Sequence, residues 1–327
     1  MRASTRWNAL HSAARRAAGL VALGAALACA GAAGCGGSGG DDVDAAVDPD
    51  ECVPGGAFDI NGRHAVEATL NVLVNASIIR DKPTTAKVYL LADITTTGVT
   101  GNVVGKLCKL EIPPVPLEGQ APLIFTPGPG LIESVKMVSA AGMLGGNTTC
   151  STFKSDVLTV ILGADVMPIT GLLPQTTTMG APAPYCAGDL KTDCDPDPTG
   201  TNCACDQEKD DKPGSTLIAM NVPGLTDLKE IYAALRTSFA LDGQVFSSSE
   251  VRGKVTATLD LGILDCLHVP SPTSSFPCTA GDRSALRGFS PTITQNPQNP
   301  STFRTKKVAA DMDCAMLVQM IPTLFPR

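Results

Sequence analysis

The side chains richest in chemistry in this 327-residue chain are its cysteines and one run of acids. Twelve cysteines occur: Cys29 and Cys35 near the start, then Cys52, Cys108, Cys150, Cys186, Cys194, Cys203, Cys205, Cys266, Cys278 and Cys314. The later ten are an even set, which in an exported protein reads as up to five disulfides. Proximity places two bridges within 186–205, sends Cys203 and Cys205 to different partners, and pairs Cys108 with Cys150 and Cys266 with Cys278. Zinc held by the same cluster is the rival, but Cys-x7-Cys-x8-Cys-x-Cys lacks the close paired spacing of zinc knuckles.

The acids fall at alternate positions in a Cys/Asp-rich loop at 186–214: Asp193, Asp195 and Asp197, then Asp206, Glu208, Asp210 and Asp211, ending at Lys212-Pro213-Gly214. Carboxylates so spaced can converge on calcium, with backbone carbonyls filling the shell, and calcium is the one cofactor for which the sequence offers a candidate site. Residues 206–214 resemble the Asp-x-Asp-x-Asp-Gly loops of extracellular calcium repeats. Asp211 stands where the turn glycine belongs, and Leu217 holds the twelfth position in place of a bidentate acid. The plainer reading is a solvated loop stapled by disulfides.

Ser151-Thr152-Phe153-Lys154 is a literal Ser-x-x-Lys and resembles the nucleophile motif of serine β-lactamases and penicillin-binding proteins. Those enzymes carry it at the start of a helix. Here Val157, Leu158, Val160, Ile161 and Leu162 follow, a pattern for a buried strand that would separate Ser151 from Lys154, so a hydrolase is the least favoured reading and no catalytic residue is expected. His64 falls on the apolar face of its segment, where a core histidine outweighs a base or ligand.

Before these residues comes an address. Arg2, Arg6, Arg15 and Arg16 precede an uncharged run from Ala17 to Ala33, and Ala32-Ala33-Gly34 leads into Cys35. This resembles the lipobox of bacterial lipoproteins, cut before a cysteine that carries diacylglycerol and its acyl chains, such as palmitate. Ala32 replaces the usual Leu, and Ala26-Leu27-Ala28-Cys29 is a rival site. Cys35 is preferred because Gly36 to Gly40 and then Asp41, Asp42, Asp44, Asp48 and Asp50 follow it as a solvated tether. The organisation expected is a signal peptide at 1–34, a Gly/Asp-rich tether at 35–56 and a β domain at 57–327.

The elements that must position these groups read as strands. From His64 to Val74 the residues His64, Val66, Ala68, Leu70, Val72 and Val74 alternate with Glu67, Thr69, Asn71 and Asn75, one face buried and one wet. Leu235 to Val245 and Val251 to Leu261 alternate likewise around Ser247-Ser248-Ser249, predicting a long hairpin. Lys87–Thr95, Asn102–Ile112, Leu131–Val138, Val157–Gly163 and Thr216–Val222 read as further strands. A helical turn is expected at Asp227–Ile231, and a C-terminal helix at Ala315–Ile321, capped by Asp313 and stopped by Pro322. The fold class is therefore all-β: an antiparallel sheet, barrel-like or sandwich, with a short C-terminal helix and a disulfide-stapled acidic loop. The length of the hairpin favours strong curvature and a barrel.

A net charge of −7, with much of the acid in the tether and one loop, leaves no basic face for nucleic acid, and 4% aromatic content leaves no stacking platform. The chain is similar to uncharacterised, cysteine-containing lipoproteins of Gram-negative bacteria, through the lipobox, the tether, the acidic step into Pro213-Gly214 and the closing Leu324-Phe325-Pro326. That resemblance implies a lipid anchor in the outer membrane on its periplasmic or surface face. The expected role is non-catalytic binding of an apolar ligand or an envelope protein. A calcium-stabilised adhesion module is the alternative.

Overall fold

The computed structural model describes residues 52–76, 79–188, 194, 202–289 and 291–326, and these form one compact unit. Cys35, most of the predicted tether, and Asp193, Asp195 and Asp197 lie outside the described residues. The chain opens with a meander of β1 (Gly62–Ala76), β2 (Ile79–Thr97) and β3 (Thr100–Glu111), followed by β4 (Ile124–Pro127), the short α1 (Leu131–Ser134), β5 (Val138–Leu144), β6 (Thr152–Ser155) and β7 (Leu158–Leu162). After a two-residue pair, β8 (Ala164–Asp165) and β9 (Cys203–Ala204), come β10 (Ser215–Met220) and the long hairpin of β11 (Leu228–Ser247) and β12 (Glu250–Ser271). Then follow β13 (Ser274–Pro277), α2 (Ala280–Phe289), β14 (Thr292–Gln295), β15 (Thr302–Lys307) and α3 (Cys314–Leu324).

The sheet closes on itself. Hydrogen-bonded neighbours run β1–β2–β3–β5–β6–β11–β12–β15 and return to β1, every pair antiparallel. Closure settles the choice between barrel and sandwich in favour of a barrel-like ring, the arrangement that leaves fewest open edges. One row of inward residues can be followed around it: Leu144, Phe153, Gly243, Gly253, Phe303, Ala68, Val88 and Leu110. The Leu144 N–H then donates to the Val99 carbonyl, so the row returns eleven residues from Leu110 along the same strand. Such a slip over eight strands tilts them about 43° from the axis, at about 3.3 Å per residue and about 4.8 Å between strands.

Gly243 and Gly253 face each other on this row, where a Cβ on Gly253 would stand 2.3 Å from the Asp242 carbonyl oxygen. Phe153 and Phe303 flank the pair and fill the space that the missing side chains leave. Outward positions on β12 are Arg252, Lys254, Thr256, Thr258 and Asp260, so the wall is charged outside and aliphatic inside. That is the reverse of a barrel that faces lipid. No described helix is long and apolar enough to cross a membrane.

Local expectations fared unevenly. The strands around His64–Val74 and the hairpin form as read, and α3 starts where Asp313 accepts the Met316 N–H at 2.8 Å. Pro322 does not stop that helix: the chain turns on to Leu324, because Leu317, Leu324 and Phe325 pack with Tyr89 and Leu91 on the outer face of the first meander. Leu131–Val138 is not one strand; Gly130, at φ 90°, turns the chain into α1. Asp227–Ile231 is not helical: Asp227 sits at φ 62° and Leu228 starts β11, paired with His268. Nor is the polar face of β1 wet throughout. Glu67 and Asn71 are buried, Glu67 between Lys87 and Arg304 of the flanking strands.

Candidate ligand chamber

The inward face divides into two packed ends and a band between them. At one end Ile60, Leu144, Phe153, Val245, Val251, Val255 and Phe303 form a buried cluster drawn from across the ring. At the other, Leu131, Leu217, Ile231, Ala233 and Ile263 pack with Ile79 and with Leu286 of α2. Between the ends the inward side chains are apolar yet only half-buried. Leu70 of β1, Val88 of β2 and Phe239 and Leu241 of β11 have this character and pack against the first cluster, while Val72, Leu90, Ala257 and Leu259 are half-buried outside both clusters. Side chains on the inside of a closed ring should be buried if the ring were filled, so solvent reaches the lumen at this level.

By register the one charged inward strand residue between the packed ends, among the described residues, is Lys82, opposite Val74 near the Ile79 end, and it pairs with Glu118 at 3.4 Å. Polar groups there are sparse: Ser155 Oγ accepts the Leu241 N–H at 2.9 Å, Gln295 Nε2 donates to the Val255 carbonyl at 3.0 Å, and Thr84 Oγ1 is buried without a partner. At the closed end His64 is 0% exposed; its Nε2 lies 2.8 Å from the Ile60 carbonyl and its Nδ1 has no partner. Burial pushes the imidazole pKa below its ordinary value, against the smaller raising effect of the Ile60 contact, so the ring is neutral at pH 7.

The ring is incomplete on one side. β5 pairs with β3 over Val138–Met143 but with β6 only over Gly142–Leu144, while β7 pairs with β11 and, among the described residues, with nothing else. The Asp156 N–H donates to the Ala141 carbonyl, and beyond that bond Val138–Ala140 and Leu158–Leu162 face one another across a slit. A recess of about 180 Å³ occupies it, lined by Val138, Val160 and Leu162 from the inward face, and outside by Lys136, Thr159 and Gln207 together with the apolar Ile161, Val166 and Ile169.

The disulfides frame this body. Five form, and they include both bridges expected within 186–205, Cys186–Cys203 and Cys194–Cys205, together with Cys266–Cys278. The expected Cys108–Cys150 bridge does not form: Cys108 bonds Cys314, and Cys150 bonds Cys52. A bulge opposite Tyr89 and Leu90 leaves Cys108 unpaired in the ladder and packed on the outer side beneath α3. Cys150 instead sits beside Val245 at the closed end, its N–H donating to the Val245 carbonyl.

The acidic loop is turned on its own backbone. Asp206 is buried, and its two carboxylate oxygens accept the N–H groups of Asp210 and Asp211 at 3.1 and 2.8 Å. Glu208 accepts the Thr216 N–H, and Asp210 accepts the Thr216 hydroxyl. Burial raises the Glu208 pKa, with Asp210 and Asp206 adding to it, while burial and the same carboxylates push the Tyr185 phenol up to about 12. These oxygens act as turn caps for backbone amides.

Ser151 and Lys154 are not joined by any hydrogen bond; Lys154 points outward and pairs with Asp242 at 3.3 Å, on a strand as the sequence predicts. A second constellation, missed in the sequence, is His268, Cys278 and Asp282. Cys278 is already spent on Cys266, leaving His268 Nε2 3.4 Å from Asp282 Oδ2 and stacked on Phe276 at 5.0 Å. The readable signal was Thr279-x-x-Asp282, a capping box: Asp282 accepts the Thr279 N–H at 2.8 Å and starts α2. Burial opposes its ionisation, but the Thr279 hydroxyl and N–H, with His268 alongside, hold Asp282 below the usual carboxylate range. Comparison with family models, with curated proteins and with solved structures finds no match to this chain.

Proposed function

We propose that this protein is a lipid-anchored lipoprotein of the cell envelope, held in the outer membrane through Cys35, whose barrel binds an apolar small molecule without catalysing its conversion. The observation that carries the reading is the band of half-buried aliphatic side chains, Leu70, Leu90, Leu241 and Leu259 among them, on the inside of a closed ring whose ends are packed. A protein interior is close-packed where nothing needs to enter, and a concave apolar space with a few polar atoms is the usual form of a small-molecule site. Ten cysteines in five bridges suit a compartment outside the cytoplasm, which agrees with the signal before Cys35.

The test has two arms. Cys35→Ala should release the chain from membranes into the soluble fraction, and unchanged membrane retention would refute the anchor. The released chain should enhance the fluorescence of N-phenylnaphthylamine, a neutral apolar probe, and Ala257→Trp, which fills the band, should weaken that binding at least tenfold. Equal probe signals from both chains would refute the chamber.

A further inference from the structure

We infer that the chamber takes a single acyl chain, threaded sideways through the slit between β5 and β7; this rests on the chamber reading above and adds to it the ligand class and the route. On β12 the inward residues Val255 and Ile263 are fully buried and Ala257, Leu259 and Leu261 between them are half-buried. Eight residues span about 26 Å of strand, or about 19 Å along the axis at a tilt of about 43°. An acyl chain reaches about 15 Å, half the hydrocarbon thickness of a bilayer, so one extended chain fits between the ends.

Because Val72, Leu90, Ala257 and Leu259 offer a polar head group neither charge nor hydrogen bond, it cannot follow the chain inside without losing its hydration. It has to stop at the opening. The recess in the slit supplies such a stop, with Val138, Val160 and Leu162 facing the lumen and Lys136, Thr159 and Gln207 at its outer part. Met137, just before β5, and Val157, just before β7, are each 68% exposed, so the two sides of the slit present apolar side chains to whatever delivers the chain. A narrow slit whose polar groups, Lys136, Thr159 and Gln207, lie only on its outer part admits a flexible chain end first and holds its head group outside the lumen.

The experiment uses the full chain carrying Cys35→Ala, so that no acyl chain of its own competes, with cis-parinaric acid as the fluorescent probe and saturated fatty acids of graded length as competitors. Affinity should rise about fourfold per added methylene and level off once the chain fills the chamber. Stopped-flow association and dissociation should both slow at least tenfold in Met137→Trp, which adds bulk at the exposed lip and not in the lumen, while the equilibrium constant changes less than threefold. Met137→Ala should speed both rates, and it keeps the test decisive if the Trp variant fails to fold. Rates unaffected by either Met137 variant, with binding still lost in Ala257→Trp, would overturn the route and leave the chamber standing. Displacement by planar polycyclic compounds but not by saturated acids would overturn the ligand class. If neither parinaric acid nor N-phenylnaphthylamine binds, the chamber itself falls.

Discussion

At the scale of the residue, His64 gives the sharpest expectation. The imidazole is fully enclosed and one ring nitrogen has no partner, so its protonated form would have to be accommodated without water. Its folded-state pKa lies below the ordinary 6.5 and the unfolded chain titrates near that value. Between the two the unfolded state binds more protons, so stability is complete above pH 6.5 and falls as pH drops below it, by up to about 1.4 kcal/mol per pH unit. His64→Gln, which keeps a side-chain N–H for the Ile60 carbonyl, should remove this share of the slope. Melting temperatures of the two chains between pH 5 and 8 would show it, and parallel curves would rule the account out. Sequence placed His64 on the buried face correctly because period-two alternation fixes the side of a strand. It could not show what each acid touches: the Asp206 oxygens accept the amide N–H groups of Asp210 and Asp211, contacts that spacing does not encode.

At the scale of the element, α3 depends on a bond that spacing could not suggest. Cys108 and Cys314 are 206 residues apart, against 12 for Cys266 and Cys278, each pair tying a strand of the barrel to a segment at a helix start. If bridges act by restricting the unfolded chain, stabilisation grows with the logarithm of the loop, and the longer loop gains about 2.5 kcal/mol more. Replacing both members of each pair by Ser should therefore cost more for Cys108/Cys314, within the usual range of about 2–5 kcal/mol, as read from denaturant midpoints. Equal losses would mean that native packing of Leu317 and Phe325, not the loop, secures the helix. The hairpin of β11 and β12 was legible because both partners sit in one stretch of sequence. α1 and α2 were not: a single turn such as Leu131–Ser134 carries no period, and the Thr279/Asp282 box preceded a segment too polar to look like a core helix.

At the scale of the whole molecule, closure is what sequence could not reveal. Alternation says which side of a strand is dry, but the ring is sealed by β1 against β15, pairing Val66 with Thr305 and Ala68 with Phe303 across most of the chain. Gly243 and Gly253 test whether that seal depends on the row that Phe303 occupies. Gly253 has no positive φ, so Ala there is strained only by space: its Cβ would meet the Asp242 carbonyl oxygen and the Gly243 Cα, each at 2.3 Å, both backbone atoms that cannot swing aside. The two strands must part locally, which moves Gly253 away from Phe303 and weakens the closing edge at Arg252–Lys254 against Thr302–Arg304. Overpacking of this kind costs about 1–3 kcal/mol. Gly98→Ala, at the tip of the β2–β3 hairpin where no atom stands within 4 Å, should lose only about 1 kcal/mol, for its φ of 62°. Hydrogen exchange should then show β15 amides opening in Gly253→Ala at unchanged rates elsewhere, with weaker probe binding in the chamber. If β15 stays as protected as in the parent chain while stability falls, the glycine pair serves the hairpin alone and the ring is closed by other contacts.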